Sequence, residues 1–117
     1  MTTTEKQITA IVIGADESIA VHTFAGLTDY QRAVGGYIET VTLNGNHDMI
    51  VNEEGRLQRL PFNRIASAIA VRHGIAGLLV GPAIIVGHAR GEFTNADPAF
   101  LAEHDDLLKL AEHDCIG

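Results

Sequence analysis

Apolar and polar positions change their period several times along the chain. Ile8-Thr9-Ala10-Ile11-Val12-Ile13 is short, β-branched and bounded by Gly14, the pattern of a buried strand. Residues 14–18 are turn chemistry, and Ile19-Ala20-Val21-His22-Thr23-Phe24 reads as the returning strand of a hairpin. Thr28 is the expected N-cap of a short helix with Asp29 in its first turn, and Gly35-Gly36 ends it. Tyr37 to Leu43 is rich in strand formers. Asn44-Gly45 predicts a two-residue hairpin turn, with both residues at positive φ. Asp48 to Val51 returns. Asn52-Glu53-Glu54-Gly55 fits a type I turn with Gly55 left-handed, and Arg56 to Leu60 completes an expected three-stranded meander.

Asn63 is placed to cap a helix from Arg64 to about His73, with Ile65, Ala66, Ile69 and Ala70 on one face and Gly74 as its stop. Leu78 to Val80 and Ala83 to Val86 read as strands. Gly81-Pro82 between them implies a bulge, a bend or an edge, because proline cannot donate to a ladder. Residues 87–91 read as a loop. Asp97-Pro98 opens a last helix expected to reach about His113, with Phe100, Leu101, His104, Leu107, Leu108 and Ala111 clustered on one side. The expected fold class is α+β: a mostly antiparallel sheet of five to six strands with about three helices packed on it.

At 117 residues there is room for a single domain, spanning 1–117, and 46% apolar against 20% charged residues is a globular balance. The first seven residues are polar, and the longest apolar stretch, 75–87, is interrupted by Gly77, Gly81 and Pro82. Neither a leader nor a membrane helix is therefore expected, and the expected location is cytoplasmic. The lone Cys115 excludes an intrachain disulfide framework and a Cys-rich zinc site. A net charge of −7 makes nucleic acid an unlikely partner, since a phosphate backbone needs cationic surface.

Charge is unevenly placed. Between Gly55 and Gly91 lie Arg56, Arg59, Arg64, Arg72 and Arg90 and no acid, while the flanks are acidic. Intramolecular ion pairs account for such a pattern. So does an anionic pocket near Arg56, Arg59 and Arg64, where guanidinium forks suit phosphate or carboxylate. The six histidines, 22, 47, 73, 88, 104 and 113, have no zinc-type partner at i+2 or i+4, and no metal or cofactor is expected. His47-Asp48 reads as a surface dyad. Glu53-Glu54 sits at a turn tip, where carboxylates stay hydrated. No nucleophile elbow, phosphate loop or dinucleotide fingerprint is present, so no catalytic residue is assigned.

Gly35-Gly36-Tyr37-Ile38-Glu39, Val51-Asn52-Glu53-Glu54-Gly55-Arg56-Leu57, Leu60-Pro61-Phe62-Asn63 and Gly81-Pro82-Ala83-Ile84-Ile85-Val86-Gly87 occur in order. Together they resemble the segments of the domain of unknown function 3846 family. The resemblance implies a small protein carried by phages, plasmids and actinobacterial genomes, and it brings no activity with it.

Most of that pattern is explained by caps and turns. Glu39 is the exception. In strict alternation it shares a face with Tyr37, Val41 and Leu43, and a carboxylate there must be paired, lie at the sheet's rim or serve a site. Glu39, Asn52, Glu53, Arg56, Asn63 and Arg64 are therefore the candidate ligand-binding residues. The expected function is that of an accessory protein of a phage or other mobile element, binding a host protein or a small anionic ligand without catalysis. The alternative is a sequestering or hydrolytic domain using the same Glu/Asn/Arg cluster. Acidic DNA mimicry by the last helix fits less well, because His104 turns inward there. Self-association as a homodimer is also expected, through the uncharged Ala83–Val86 segment or the last helix.

Overall fold

The computed structural model describes residues 7–109. Six strands form one sheet, antiparallel throughout: β1 (Ile8–Ile13), β2 (Ile19–Phe24), β3 (Ile38–Thr42), β4 (His47–Asn52), β5 (Ala83–Ala89) and β6 (Glu92–Thr94). The order is β2-β1-β5-β4-β3, and β6 pairs with the end of β5. Four helices accompany it: α1 (Leu27–Val34), α2 (Arg64–Arg72), α3 (Pro98–Glu103) and α4 (Asp105–Leu108). The class is α+β, and helices pack on both faces of the sheet's central strands.

Alternation along the central strands explains the layering. Met49, Val51, Ala83 and Ile85 point to the face packed by Ile65, Ala66, Ile69 and Ala70 of α2 and by Phe100 of α3. Ile50, Ile84 and Val86 point the other way, onto Tyr30 and Val34 of α1. A strand with apolar neighbours on both faces is an uninterrupted apolar run, and Ala83–Val86 is one.

This location corrects the expectation of an open edge there. Ala83 to Ile85 pair with β1 on one side, and Ile84 to Gly87 pair with β4 on the other. Nothing of Ala83–Val86 is available to a second chain.

Several local expectations are also corrected. Arg56–Leu60 is not a strand. It winds through turns closed by Gln58 N–H to Glu54 O, Arg59 N–H to Arg56 O and Leu60 N–H to Gly55 O. Leu57 and Leu60 are three apart, a spacing that suits a turn better than an alternating strand. Leu78–Val80 forms only a single bridge, Val80 to Phe62. Residues 87–91 are not a loop, because β5 runs on to Ala89. Arg90 (φ 54°) and Gly91 (φ 76°) then form the two-residue hairpin turn with positive φ at both positions. The Asn44-Gly45 site is instead a three-residue connection, Asn44–Asn46, with Leu43 N–H bonded to His47 O and Asn46 N–H bonded to Asn44 Oδ1. Gly55 is not left-handed. It lies where a Cβ would come within 2.8 Å of Val80 Cγ2, so close packing is what requires glycine. Gly26, not Thr28, is the N-cap of α1, and Asp29 Oδ2 accepts from Ala25 N–H. The expected last helix breaks at His104 into two short helices. Its predicted extension to His113, like Cys115, lies outside the described residues.

Other signals hold. Gly35 (φ 83°) caps α1 in the left-handed region. Asn63 Oδ1 accepts from Ala66 N–H at the start of α2, and Asp97 accepts from Ala99 N–H ahead of Pro98. Asn63 does more than cap. Fully buried, it sends its amide nitrogen to Ile13 O and Gly81 O, at 2.9 Å each. It ties the end of β1 and the bend before β5 to α2. Asn63→Ala should therefore cost about 3 kcal/mol, a cap plus an amide donor lost from two carbonyls, against about 1 kcal/mol for Asp97→Ala. Urea denaturation of the two variants checks this, and equal losses would contradict it.

Candidate functional site

α2 ends at Arg72, and Gly74 (φ 82°) turns the chain back, so residues 75–80 run beside the sheet without covering β3. A cleft of about 400 Å³ remains between this segment, the β3–β4 edge and the turn at 53–57. Val41, Val51, Ile75 and Leu79 give it apolar walls. Glu39, Glu53, Glu54 and Arg56 supply its charge. Leu57 and Leu78, 81% and 61% exposed, stand on its opposite sides. Arg56 spans the two, its Nη2 donating to Leu78 O at 2.8 Å.

Four of the six expected site residues meet here: Glu39, Asn52, Glu53 and Arg56. Their gathering follows from register. Glu39 lies opposite Val51 on the neighbouring strand, so it points to the same face as Val51 and the turn that follows Asn52. β3 is the last strand of the sheet, and Glu39 accordingly sits at its rim, one of the three places a carboxylate on that face could occupy.

Asn52 has a scaffolding part in this site. Its Nδ2 donates to Val34 O and Gln58 Oε1, at 3.0 Å each, and its Oδ1 accepts from Glu54 N–H at 2.7 Å. It holds the 53–58 turn against the end of α1. Gln58 and the 75–80 wall are the parts that sequence reasoning missed, because both are brought in by long-range packing.

Two expected residues lie elsewhere. Asn63 is buried under α2 and is committed to the bonds already described. Arg64 forms a two-pronged ion pair with Glu17 in the β1–β2 turn, at 2.6 and 2.9 Å, and does not line the cleft. The expected three-arginine anionic pocket is thus not assembled: of Arg56, Arg59 and Arg64 only Arg56 lines the cleft.

Histidine chemistry collects at a second place. His47, His73 and His104 surround the Phe100 ring, with centroids 4.2, 5.5 and 4.2 Å away. His104 Nδ1 lies 2.8 Å from Phe100 O and donates to it. Its Nε2 lies 2.8 Å from Nε2 of His73, and the two share a hydrogen bond. His47 Nε2 accepts from Asp97 N–H. The expected surface dyad is corrected: His47 and Asp48 are both buried, on opposite sides of β4, and Asp48 Oδ2 faces His88 Nδ1 at 3.2 Å. Among the described residues no group of three or more His, Cys, Asp or Glu is arranged to hold a metal ion. This cluster docks α3 on the sheet.

The pKa of His73 is held below its ordinary value, first by burial and then by the adjacent His104. Burial likewise lowers that of His47. Both groups bind protons more readily unfolded than folded. Stability is therefore full above the unfolded value of 6.5 and falls as pH drops below it. The Arg72–Asp106 pair does not contribute in this window, because its hydrogen bonds hold Asp106 at about 2. Thermal midpoints should be level above about pH 7 and decline toward about pH 5. His73→Gln, which keeps a donor for His104 without titrating there, should flatten the decline. An unchanged slope in that variant would contradict this assignment.

Fold and site together define a small α+β domain with a two-sided sheet and an acidic cleft at one edge. The chain belongs to the family described as a domain of unknown function, DUF3846, whose model matches residues 8–109. No curated protein and no solved structure matches it. Among the described residues no helix is long and apolar enough to cross a membrane.

Proposed function

We propose that this protein works by binding rather than catalysis, and that the cleft beside β3 takes an extended, cationic segment of a partner protein. The observation that carries this reading is the composition of the cleft. Three carboxylates and one guanidinium surround apolar walls, and Leu57 and Leu78 stand exposed beside them. Apolar anchors within a charged rim suit a protein partner. The charge balance favours a Lys- or Arg-bearing segment over the small anion.

The β3 edge adds backbone recognition. Leu43 N–H bonds to His47 O and Glu53 N–H to Tyr37 O, which fixes the alternation of the ladder. Ile38, Thr40 and Thr42 consequently turn their N–H and C=O groups away from β4. An incoming strand pairing with them would lay alternate side chains toward Glu39 and the cleft, the geometry of strand addition. The hydrolytic alternative finds less support. Among the described residues the lining contains no hydroxyl, thiol or imidazole, and Asn52 is occupied in holding the turn.

The setting implied by the family resemblance, an accessory protein of a phage or other mobile element acting on a host protein in the cytoplasm, belongs to this proposal. So does self-association as a homodimer.

Titration of labelled protein with an extended peptide of alternating lysine and valine tests the binding reading. Amide NMR shifts are expected at Thr40, Glu53, Leu57 and Leu78, with affinity lowered at least about tenfold by Glu39→Lys. Inorganic phosphate is the second arm. Saturable phosphate shifts confined to Arg56, with none from the peptide, would contradict the cationic-segment reading and favour the anion.

A further inference from the structure

Among the described residues β2 and β3 end the strand order, each without a strand on its outer side, and they differ in chemistry. β3 carries Glu39 and lies beside Glu53 and Glu54. β2 spans six residues, Ile19-Ala20-Val21-His22-Thr23-Phe24, with no acid, no Lys or Arg, no proline and no glycine. Natural edge strands are blunted by charge, proline, bulges or a covering element. β2 pairs with β1 without interruption over all six positions, so no bulge twists it away. Ala20, Val21, His22 and Thr23 are all exposed, Val21 by 62%, so none of the described residues covers the edge.

We infer that β2 is the self-association edge of this protein, pairing antiparallel with β2 of a second copy about a two-fold axis at Val21. This rests on the self-association included in the proposed function and names the surface that produces it.

Register makes the edge self-complementary. Gly14 N–H bonds to Ser18 O at 2.8 Å, and continuing that ladder turns Ala20, His22 and Phe24 toward β1. Ile19, Val21 and Thr23 turn their backbone groups outward. With Val21 opposite Val21 of the second copy, Ile19 faces the second copy's Thr23, and every outward group finds a partner, about six hydrogen bonds in all. The side chains of Ile19 and Val21 share the sheet face of their cross-strand partners Ile13 and Ile11. Pairing two copies would extend that apolar face across the axis.

Charge selects this edge over β3. The chain carries a net charge of −7, so two copies repel unless they meet where carboxylates are matched. Near β2, Glu17 is paired with Arg64, Asp29 lies 3.9 Å from Arg32, and Asp16 in the β1–β2 turn accepts from Ser18 N–H. At β3 the three carboxylates of the cleft meet one guanidinium. A β3–β3 contact would bring two such acidic clusters together. β2 therefore suits a like-charged second copy, and β3 suits a cationic partner.

Sedimentation equilibrium of the full chain over about a hundredfold concentration range tests this. The expected result is a monomer–dimer equilibrium in the unmodified protein. Val21→Lys, at a position exposed enough to leave the fold intact, should weaken it at least about tenfold by placing two ammonium groups face to face. Thr40→Lys, at the equivalent outward position of β3, should not weaken it. In a Cys115→Ser background, Val21→Cys should cross-link on mild oxidation, because opposed residues of such a pair lie about 5.5 Å apart at Cα. A monomer at every concentration would overturn both the self-association and its edge. A dimer that survives Val21→Lys would overturn the edge alone and leave self-association standing.

Discussion

The structure depends on one strand that is apolar on both faces and bonded on both edges. β5 is held by β1 and then β6 on one side and by β4 on the other, and its first four residues are fully buried. Backbone polar groups at that depth must be paired, because an orphaned one costs as much as a lost hydrogen bond. Central placement satisfies them. Once β5 is central, helices must lie on both faces, and the chain supplies them: α1 on one, α2 and α3 on the other.

Everything with functional character is then displaced to the margins. Among the described residues it is the 75–80 segment, not α2, that faces Glu39 and Val41 of β3 across the cleft. The uncovered strip becomes the acidic cleft, walled by the segment that returns from α2 toward β5. Asn52 and Asn63 serve the same end by different routes. One pins the turn that forms the cleft's rim, and the other fixes the start of α2 against the end of β1. Both are candidate ligand contacts by their sequence pattern, yet Asn63 spends its polar groups on the backbone and Asn52 on the backbone and Gln58.

What was legible in the sequence was local. The β1–β2 hairpin, the caps at Asn63 and Asp97, the left-handed Gly35 and the clustering of Glu39 with the 52–56 turn all follow from spacing and side-chain chemistry. What was hidden was set by distant contacts. Nothing in Arg90-Gly91 marks the arginine as left-handed, so the β5–β6 hairpin reads as a loop in the sequence. Gly55 looked like a turn glycine, whereas Val80, far along the chain, excludes a side chain there. The histidines have no metal-type spacing, yet three of them meet around Phe100 because α2, α3 and β4 converge. Ala83–Val86 carries the signal of burial clearly, and its lack of charge reflects a central strand rather than an unprotected edge.

Residue-resolved amide hydrogen exchange on the dilute protein tests most directly whether β5 is the element on which the rest depends. Ile84, Ile85 and Val86 should exchange only through global unfolding and show the highest protection in the molecule, with Met49 and Ile50 alongside them. The outward amides of Ile38, Thr40 and Thr42 should exchange at least about a thousandfold faster. Protection of Ile84–Val86 no greater than that of Thr40 would contradict the account.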